Sequence, residues 1–404
     1  MAVTTPITEQ IIQQESDYLV QTYARPPFVL VRGEGVTLYD SEGKAYLDWV
    51  SGIAVNSLGY DDAEMNQVIA RQIETGLIHL SNLYHTAPHV ELARLLCEKS
   101  FADRVFFCNS GAEANEGAIK FARKVAYNKD QTDRIEIVSF TNAFHGRTIG
   151  ALSVTPREKY QQPFAPLMPG SVVAEFNNIE SARAAIGPNT AAVIVEPVQG
   201  EGGINLATTE FLIALREFCN EHGAQLIFDE VQCGVGRAGT LWGYEASGVT
   251  PDIMTLAKPL AGGLPIGAIL VTDAVGAALQ PGDHGSTFAG GLLVTAVAKH
   301  VLERISAPEF LGHVNEVGDY LIERLQEINS PLVKEVRGRG LMVAMELTVD
   351  SKPFIEAGYE QGLLIVNAGP NVLRFVPPLI VEKPHVDVLV ERLTAILADG
   401  QGAS

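Results

Sequence analysis

Short apolar runs alternate with longer helix-like segments through the middle of the chain. Each run is continuous rather than interrupted by polar residues, as expected of strands that are buried on both faces of a sheet. Helix-like segments such as residues 210–222 lie between some of the runs, which predicts an open, mostly parallel α/β sheet with crossover helices. Ligands of such sheets bind in loops beyond the strand ends. The predicted strands are residues 105–108, 135–140, 191–195, 226–228, 253–256 and 266–271.

The two ends of the chain show a different pattern. Residues 36–49 hold two short alternating runs around Asp40-Ser41-Glu42-Gly43, which predicts a β-hairpin. After residue 306 the pattern predicts a helix, a strand at 341–347, a second helix, short strands and a final helix at 383–397. We expect the hairpin to pack with this second, smaller α+β domain. The expected segments are residues 1–60 (packing with the small domain), 61–305 (the large α/β domain) and 306–404 (the small domain).

Composition and charge narrow the class of protein. The chain has 404 residues, too many for one core, and no apolar run of membrane length. Its net charge of −19 disfavours nucleic acid, anionic lipid and acidic protein partners, whereas small anionic substrates are compatible with arginines inside a cleft. The four cysteines fit neither a zinc site nor a disulfide framework, so we expect no metal and a reducing compartment. The start of the chain lacks a basic stretch followed by an apolar one, and we expect a cytoplasmic protein.

A candidate phosphate site follows the first of the predicted strands. Ser110, Gly111 and Ala112 stand where a helix over residues 112–127 is predicted to begin. The free N–H groups and the dipole of a helix N-terminus suit a phosphate, and glycine allows close approach. The alternative is a plain capping box of Ser110 and Glu113, which is the better interpretation of this segment taken alone.

Two further strand ends carry residues suited to a planar, charged ligand. Phe144 can stack on a ring, and Arg147 can grip a carboxylate with two parallel hydrogen bonds, although a surface arginine beside a core phenylalanine is the simpler reading. Asp229 and Glu230 end a very apolar strand, and one of them should reach a cation such as a protonated pyridine nitrogen. A metal site or a salt bridge would also satisfy these acids. Gln232 lies on the loop that follows, from which its side chain could reach a phenolic oxygen.

Lys258 is the most unusual residue of the set. It stands between an apolar strand and a Gly/Pro-rich loop, with no acid among the ten residues that follow. Most lysines are solvated surface residues. A desolvated lysine, however, loses its proton more easily and becomes a nucleophile that can condense with an aldehyde.

Two weaker signals lie nearer the C-terminus. Ser286 and Thr287 offer hydroxyls in a glycine-flanked turn, for a helix cap or for phosphate. Arg374 stands in an apolar strand before two prolines, which indicates a buried carboxylate partner. A phosphate loop, a stacking aromatic, an aspartate, a lysine and two arginines together match the needs of pyridoxal phosphate chemistry.

On these motifs the chain resembles the class III aminotransferases of fold type I, from Asp48-Trp49 to Arg374. The linked segments Asp229-Glu230-Val231-Gln232 and Ala257-Lys258 are the most specific. The resemblance is strongest to the branch of the class that acts on N-acetylornithine. The segments that support that branch are Ser81-Asn82-Leu83-Tyr84, Phe144-His145-Gly146-Arg147, Gly285-Ser286-Thr287 and Leu373-Arg374-Phe375.

The resemblance implies pyridoxal 5′-phosphate as the cofactor. It implies that Lys258 bonds the cofactor covalently and moves the substrate proton, and that Asp229 pairs with the pyridinium nitrogen. It also implies a homodimer with shared active sites, because Thr287 is similar to a residue that reaches the phosphate of the neighbouring subunit. The other implied cofactor contacts are Phe144 on the ring, Gln232 on the ring hydroxyl, Ser110, Gly111 and Ala112 on the phosphate, and Glu230 and Val231 beside them.

The resemblance also implies the substrates. Arg147 should bind the α-carboxylate of the amino donor, with Ser286 nearby, and Arg374 the α-carboxylate of 2-oxoglutarate. Glu201 resembles the acid that pairs with that second arginine while the donor is bound. The implied reaction moves the terminal amino group of N-acetylornithine to 2-oxoglutarate, a step of arginine biosynthesis.

Several alternatives stay open within and beyond this class. Ornithine, 4-aminobutyrate and succinyl-diaminopimelate are alternative donors, whereas substrates on an acidic carrier protein fit the acidic surface poorly. A 1,2-aminomutase would need no 2-oxoglutarate, so the pair of Glu201 and Arg374 disfavours it. A binding protein without activity is disfavoured by the intact Lys258 and Asp229. Pro259 departs from the glycine that many relatives carry, and we expect it to stiffen the loop without changing the reaction.

Overall fold

A computed structural model describes residues 7–400 of the chain. The strands, numbered in chain order, are β1 Leu30–Glu34, β2 Thr37–Asp40, β3 Ala45–Asp48, β4 Arg104–Cys108, β5 Glu136–Phe140, β6 Ser171–Ala174, β7 Thr190–Val195, β8 Val198–Gln199, β9 Asn205–Leu206, β10 Gln225–Asp229, β11 Ile253–Leu256, β12 Gly267–Val271, β13 Val333–Arg339, β14 Met342–Leu347, β15 Leu363–Leu364, β16 Val366–Asn367 and β17 Val372–Phe375. The helices are α1 Ile7–Tyr18, α2 Ser51–Ala54, α3 Ala63–Glu74, α4 Ala87–Glu98, α5 Gly111–Tyr127, α6 Ile149–Ser153, α7 Glu158–Gln161, α8 Ile179–Ala185, α9 Thr209–His222, α10 Asp273–Gly276, α11 Leu292–Ile305, α12 Pro308–Gln326, α13 Lys352–Glu360 and α14 Lys383–Gly400.

A seven-stranded sheet forms the centre of the molecule, in the order β4-β12-β11-β10-β7-β5-β6. Strand β10 is parallel to β11 and β7, and β5 is parallel to β7 and β6, whereas β12 runs antiparallel to both of its neighbours. All six predicted runs are strands of this sheet, so the predicted mostly parallel α/β fold is confirmed. The sequence did not predict β6, because this edge strand is partly exposed, with Val173 at 48%.

The central strands are continuously apolar because each face of the sheet has its own core. In β7, Ala192 and Ile194 pack with one cluster, which includes Phe121 of α5. Val193 and Val195 pack with another, which includes Phe211 of α9. Successive side chains of a strand point to opposite faces, so a strand covered by helices on both faces needs apolar residues at every position.

Helix α5 lies unusually close to the sheet. Its buried face is built from small residues, including Ala114, Gly117 and Ala118. A Cβ atom added to Gly117 would lie 2.2 Å from the Cδ1 atom of Ile269 in β12, so any larger residue would force the Ile269 side chain to move. This close packing fixes the position of the N-terminal end of α5 relative to the carboxyl ends of the parallel strands.

The two ends of the chain meet outside the large sheet. The predicted hairpin is present as β2 and β3, and Asp40 Oδ1 accepts hydrogen bonds from the N–H groups of Glu42 and Lys44 in its turn. Strand β3 pairs in parallel with β15, so the N-terminal hairpin joins a sheet with the C-terminal part of the chain. A second four-stranded sheet follows the order β13-β14-β17-β16. The expected segment limits stay a prediction, and residues 1–6 and 401–404 lie outside the described residues.

The structure bears on membrane, metal and disulfide chemistry only within residues 7–400. There, no helix combines the length and apolar character that crossing a membrane requires. The same part of the chain brings together no group of three or more His, Cys, Asp or Glu side chains able to hold a metal ion. The four cysteines are free thiols, and Cys108, Cys219 and Cys233 are buried.

Arg237 ties the loop that follows β10 to the C-terminal part of the chain. The side chain is fully buried, and its Nη1 atom donates to the carbonyl oxygens of Leu341 at 3.0 Å and Pro377 at 2.5 Å. Burial lowers the pKa of Arg237 to about 9, and the nearby charge of Asp48 opposes that shift. The guanidinium therefore holds three segments together at a place that excludes water.

We expect the substitution Arg237→Met to destabilise the protein by roughly 2–4 kcal/mol, because it leaves two buried carbonyl groups without a donor and Asp48 without its neighbouring cation. Urea unfolding followed by the fluorescence of Trp49 and Trp242, both fully buried, measures the change. Arg104→Met is the matched control. That arginine forms an ion pair with Asp273 whose side chains are 64% and 66% exposed, and its loss should cost less than about 1 kcal/mol. Equal effects of the two substitutions would contradict the role of Arg237.

Candidate active site

The carboxylate of Asp229 lies at the carboxyl end of β10 and is held by three donors. Its Oδ2 atom accepts hydrogen bonds from Asn115 Nδ2 and pairs with His145 Nδ1, both at 2.7 Å. Its Oδ1 atom accepts from the N–H group of Val231 at 3.0 Å. The side chain is only 3% exposed, so these partners satisfy the carboxylate and fix its orientation. The predicted need for a partner at the end of this strand is met, among the described residues, by this hydrogen-bond network.

Asn115 connects this network, and sequence reasoning did not identify it. Its Nδ2 group also donates to the carbonyl oxygen of His145 at 2.7 Å, and its Oδ1 atom accepts from Thr255 Oγ1 at 2.7 Å. The residue is 1% exposed on the buried face of α5. The available signal was a polar residue among the alanines and glycines that face the sheet.

Lys258 begins the loop that follows β11, next to β10. Its side chain is partly exposed, and within the described part of the chain no hydrogen bond or ion pair engages its Nζ atom. Burial lowers the pKa of Lys258 to about 8; the carboxylate of Glu201 opposes this shift and the charge of Arg374 adds to it. Pro259 occupies the first turn of a short 3-10 helix, where its missing N–H group removes no hydrogen bond. An accessible amine that readily loses its proton is therefore present where the sequence predicted it.

The segment that precedes α5 has free donors at a helix start. Ser110 caps the helix, its Oγ atom accepting from the N–H group of Glu113 at 3.2 Å. The Glu113 carboxylate returns to Asn109 rather than to Ser110, so the predicted capping box is only half formed. Within the described residues no hydrogen bond uses the N–H group of Gly111 or Ala112. Both groups are therefore open to an anion.

Close packing explains why the first of those two donors belongs to a glycine. A Cβ atom added to Gly111 would lie 2.5 Å from the Cγ1 atom of Val231. The two residues come from different strand ends, so this contact brings the helix start against the loop that carries Asp229. Ser286 lies beside the same helix start, because its Oγ atom accepts from Asn109 Nδ2 at 2.9 Å. Thr287 is exposed.

Phe144 and Arg147 lie in one loop after β5, and Tyr160 joins them. Phe144 is half-buried, and Arg147 is exposed with its guanidinium carbon 5.6 Å from the Phe144 ring centre. The same carbon lies 3.7 Å from the centre of the Tyr160 ring, at stacking distance. Tyr160 thus restricts the orientation of Arg147, and no pattern in the sequence indicated it.

Glu196 is a second buried acid that sequence reasoning missed. It follows β7 directly and is 6% exposed. Its Oε2 atom accepts from the N–H group of Phe144 at 3.1 Å and its Oε1 atom from that of Gly200 at 3.2 Å. Burial raises the pKa of Glu196 to about 7, the charge of His145 opposing the shift and that of Asp229 adding to it. An acid directly after an apolar strand was the same signal that identified Asp229.

Arg374 lies in β17 and is held by two side chains. Its Nη1 atom donates to Glu201 Oε1 at 2.7 Å and to Gln232 Oε1 at 3.2 Å. The guanidinium is 1% exposed, and its Nε atom is buried without a hydrogen-bond partner in the described residues. Burial opposes the charged form of Glu201, but the charges of Arg374, Lys258 and Arg157 outweigh it and lower the pKa of that carboxyl. The predicted buried carboxylate partner of Arg374 is therefore Glu201.

The side chain of Glu230 contacts a different loop from the side chains described above. Its carboxylate accepts from the N–H groups of Gly243 at 2.5 Å and Tyr244 at 2.8 Å, and the side chain is fully buried. Burial raises the pKa of Glu230 to about 8 against the effect of those two hydrogen bonds. Its side chain therefore positions a neighbouring loop, and a cofactor contact of Glu230 stays a prediction.

The residues present fit pyridoxal phosphate. Four separate strand ends supply an amine and two helix-start N–H groups without hydrogen-bond partners in residues 7–400, an oriented buried carboxylate for the pyridinium nitrogen, and the half-buried Phe144 ring. The amide nitrogen of Gln232 remains a donor for the ring hydroxyl, because its oxygen is the atom that accepts from Arg374. These groups are the ones that this cofactor needs.

Comparison with known proteins identifies related chains. The family model described as aminotransferase class-III matches residues 18–397. A mitochondrial acetylornithine aminotransferase of Alnus glutinosa is 50% identical over 97% of this chain and 88% of its own length. An acetylornithine aminotransferase of Methanocaldococcus jannaschii is 47% identical over 97% of this chain and 98% of its own length.

Solved structures have the same fold. The N-acetylornithine aminotransferase of Stenotrophomonas maltophilia superposes with a TM-score of 0.83 at 36% identity, over 97% of this chain and all of that one. An ornithine aminotransferase of Toxoplasma gondii superposes with a TM-score of 0.94 at 30% identity, over 99% of this chain and 97% of that one. The ornithine aminotransferase superposes better although its sequence is less similar. Backbone similarity alone therefore does not distinguish between these two relatives.

The lowered pKa of Lys258 gives a prediction for capture of the cofactor. Because only the neutral amine attacks an aldehyde, capture by cofactor-free protein should rise with pH through a midpoint near 8, rather than near the ordinary value of 10.5. The measurement is the rate at which the visible absorbance band appears after mixing with pyridoxal phosphate between pH 6 and 11. Butylamine in place of protein corrects for the titration of pyridoxal phosphate itself, and Lys258→Ala should give no band. A midpoint that matches butylamine would contradict the perturbed amine.

Proposed function

Because this chain belongs to the class III aminotransferases, we propose that it transfers the terminal amino group of N-acetylornithine to 2-oxoglutarate. The products are N-acetylglutamate 5-semialdehyde and glutamate. The observation that carries the proposal is the contrast between two arginines of the site: Arg147 is exposed and forms no ion pair within residues 7–400, whereas Arg374 is buried and paired with Glu201. Relatives that are 42–50% identical and bear the name acetylornithine aminotransferase support the same donor.

The cofactor supplies an aldehyde that accepts the amine and a pyridinium ring that withdraws electrons. The residues proposed to hold it are Ser110, Gly111 and Ala112 at the phosphate, Phe144 on the ring face, Gln232 at the ring hydroxyl and Asp229 at the pyridinium nitrogen. The negative charge of Asp229 would keep that nitrogen protonated, and Asn115, His145 and the N–H group of Val231 already fix the orientation of the carboxylate. No reorientation of the acid is then needed during the reaction.

Lys258 moves the proton in the proposed reaction. With the cofactor bound and the substrate amine in place of Lys258, the Nζ atom would be free, and its pKa of about 8 would leave a substantial fraction of it neutral near physiological pH. A base with a pKa close to the working pH can both remove a proton from the substrate carbon and return it. The neighbouring acids Glu201 and Asp229 favour the protonated form of Lys258 after the transfer.

Arg147 holds the far end of the donor. The amine that reacts is several bonds away from the α-carboxylate of N-acetylornithine, so only a fixed grip on that carboxylate places the amine at Lys258. The Tyr160 ring at 3.7 Å limits the rotation of the guanidinium and leaves its fork free for two parallel hydrogen bonds. Ser286 is anchored at Asn109 beside the phosphate segment, and it contributes to this end of the site from there.

Arg374 distinguishes the donor from the acceptor. While Glu201 is paired with it at 2.7 Å, the local charge is balanced and an incoming α-carboxylate gains little there. When 2-oxoglutarate binds, its α-carboxylate takes the place of Glu201 on the guanidinium. One site can then accept first a basic donor and afterwards a dicarboxylic acceptor.

We propose further that the protein is a homodimer that works in the cytoplasm. An apolar patch is exposed on segments that contact each other, consisting of Leu77, Ile78, Leu83, Tyr84 and Phe288. The side chain of Asn82 donates to the carbonyl oxygen of Ala289, and the rings of His79 and Phe288 lie 5.3 Å apart, so the patch is continuous. A second subunit on this patch would cover Thr287 and bring its hydroxyl towards the partner's phosphate site. Free thiols at all four cysteines favour a reducing compartment.

Half-reaction spectra test the donor. We expect N-acetylornithine, added without a keto acid, to bleach the visible band of the lysine-bound cofactor, and 2-oxoglutarate to restore it. Ornithine, 4-aminobutyrate and succinyl-diaminopimelate, each added alone, are the comparison donors. Bleaching that is at least about tenfold faster with ornithine or 4-aminobutyrate would overturn the proposed donor while leaving the aminotransferase activity in place.

Arg147→Ala tests the grip on the donor. We expect KM for N-acetylornithine to rise roughly 10- to 100-fold, because a bidentate carboxylate contact is lost, and KM for 2-oxoglutarate to change much less. Arg147→Lys keeps the charge but loses the fork, so it should recover only part of the affinity. Equal losses for both substrates would show that Arg147 is not specific to the donor.

A further inference from the structure

A carboxylate that leaves Arg374 needs another cation. Glu201 pairs with Arg374 at 2.7 Å, and the side chains are 26% and 1% exposed, respectively. An acceptor carboxylate on the same guanidinium displaces Glu201 into a partly buried space. A carboxylate without a partner is disfavoured there, so the exchange is easier if a second cation lies close by.

Arg157 is placed to be that cation. Its Nη2 atom donates to the carbonyl oxygen of Asn142 at 3.2 Å. Gly202, the residue after Glu201, packs against the same oxygen so closely that an added Cβ atom would lie 2.5 Å from it. The guanidinium of Arg157 and the segment that carries Glu201 therefore share one backbone neighbour.

The hydrogen bonds around Asn142 hold this juxtaposition in place. The side chain of Gln199 donates to the carbonyl oxygen of Thr141 at 2.9 Å, which ties the start of the Glu201 segment to the same loop. Arg157 contributes to the lowered pKa of Glu201, behind Arg374 and Lys258. In the acceptor half of the reaction Lys258 is needed as the neutral amine that moves the proton, and Arg374 is taken by the acceptor. Arg157 is the cation of these three that stays available.

We propose that Arg157 is the alternate partner of the Glu201 carboxylate, receiving it when a substrate carboxylate occupies Arg374. The inference rests on the proposed function, because it concerns the acceptor half of that reaction. Arg157 is a positioning residue in this scheme and acts only through Glu201. Its guanidinium lies 5.9 Å from the Tyr160 ring that Arg147 contacts at 3.7 Å, so the two arginines do not compete for that ring.

The test compares Arg157→Gln with Lys159→Gln, which removes the same charge from an exposed residue two positions along. Protein converted to the pyridoxamine form is mixed with increasing 2-oxoglutarate, and the return of the visible band gives the apparent affinity and the limiting rate. We expect Arg157→Gln to weaken 2-oxoglutarate on the order of five-fold, since the lost ion pair is partly exposed, with a nearly unchanged limiting rate. The apparent affinity for the donor should change less than about two-fold, and Lys159→Gln should leave both affinities unaltered.

The same pair of substitutions in a Glu201→Gln background separates the proposal from its alternatives. If Arg157 acts through Glu201, Arg157→Gln should no longer affect 2-oxoglutarate once the carboxylate is gone. A five-fold effect that persists in that background would mean that Arg157 contacts the acceptor directly, and the proposal would be wrong. Equal weakening of donor and acceptor by Arg157→Gln would indicate a structural role for the Asn142 loop and would equally overturn it.

Failure of the proposed function gives a different result from failure of this inference. If unmodified protein is restored by another keto acid and not by 2-oxoglutarate, the proposed acceptor is wrong. Arg157→Gln and Lys159→Gln, each with and without Glu201→Gln, are then measured with that keto acid. They decide the role of Arg157, because any α-carboxylate on Arg374 must displace Glu201.

Discussion

The burial of one carboxylate at the end of a parallel strand organises the site. Asp229 is 3% exposed, and a charge in that position is stable only if donors converge on it. Those donors come from α5, from the loop after β5 and from the loop after β10 itself. Satisfying Asp229 therefore fixes three segments relative to one another. The same segments carry the helix start, the Phe144 ring and Gln232, so the pairing that makes burial tolerable also assembles the surroundings of Lys258.

The same constraint applies to the cations. Arg374 is 1% exposed and needs an acid, and Glu201 meets that need at 2.7 Å. In the proposed reaction, each change of substrate is a change of ion-pair partner rather than a gain of a new pair, which keeps the free-energy difference between the two states small. Arg237 differs from Arg374 in its partners. It donates to the backbone carbonyl oxygens of Leu341 and Pro377, so it joins segments of the chain instead of binding a ligand.

Particular residues show where reasoning from the sequence succeeded. Lys258 and Asp229 stood out because a charged residue at the end of an apolar run has few explanations. Glu196 carried the same signal and was missed, since a single acid before a proline also suits a turn. Asn115 was hidden because a polar residue in a small-residue helix is usually exposed, and its burial depends on how closely Gly117 lets α5 approach β12. Strand β6 was missed because an edge strand needs apolar residues on one face only.

The sequence by itself determined the mostly parallel sheet, the hairpin near the N-terminus and the chemical types of the residues in the site. It could do so because apolar periodicity and charges at strand ends are local properties of the chain. The tertiary structure decided which of those charges meet. Glu230 is adjacent to Asp229 in the chain yet turns to the N–H groups of Gly243 and Tyr244, whereas Glu201 and Arg374 are 173 residues apart and form an ion pair. Tyr160 stacks on Arg147, and Arg157 lies beside the Glu201 segment, only because separate loops converge. Partner choice among buried charges depends on distance and desolvation, and both are properties of the folded chain.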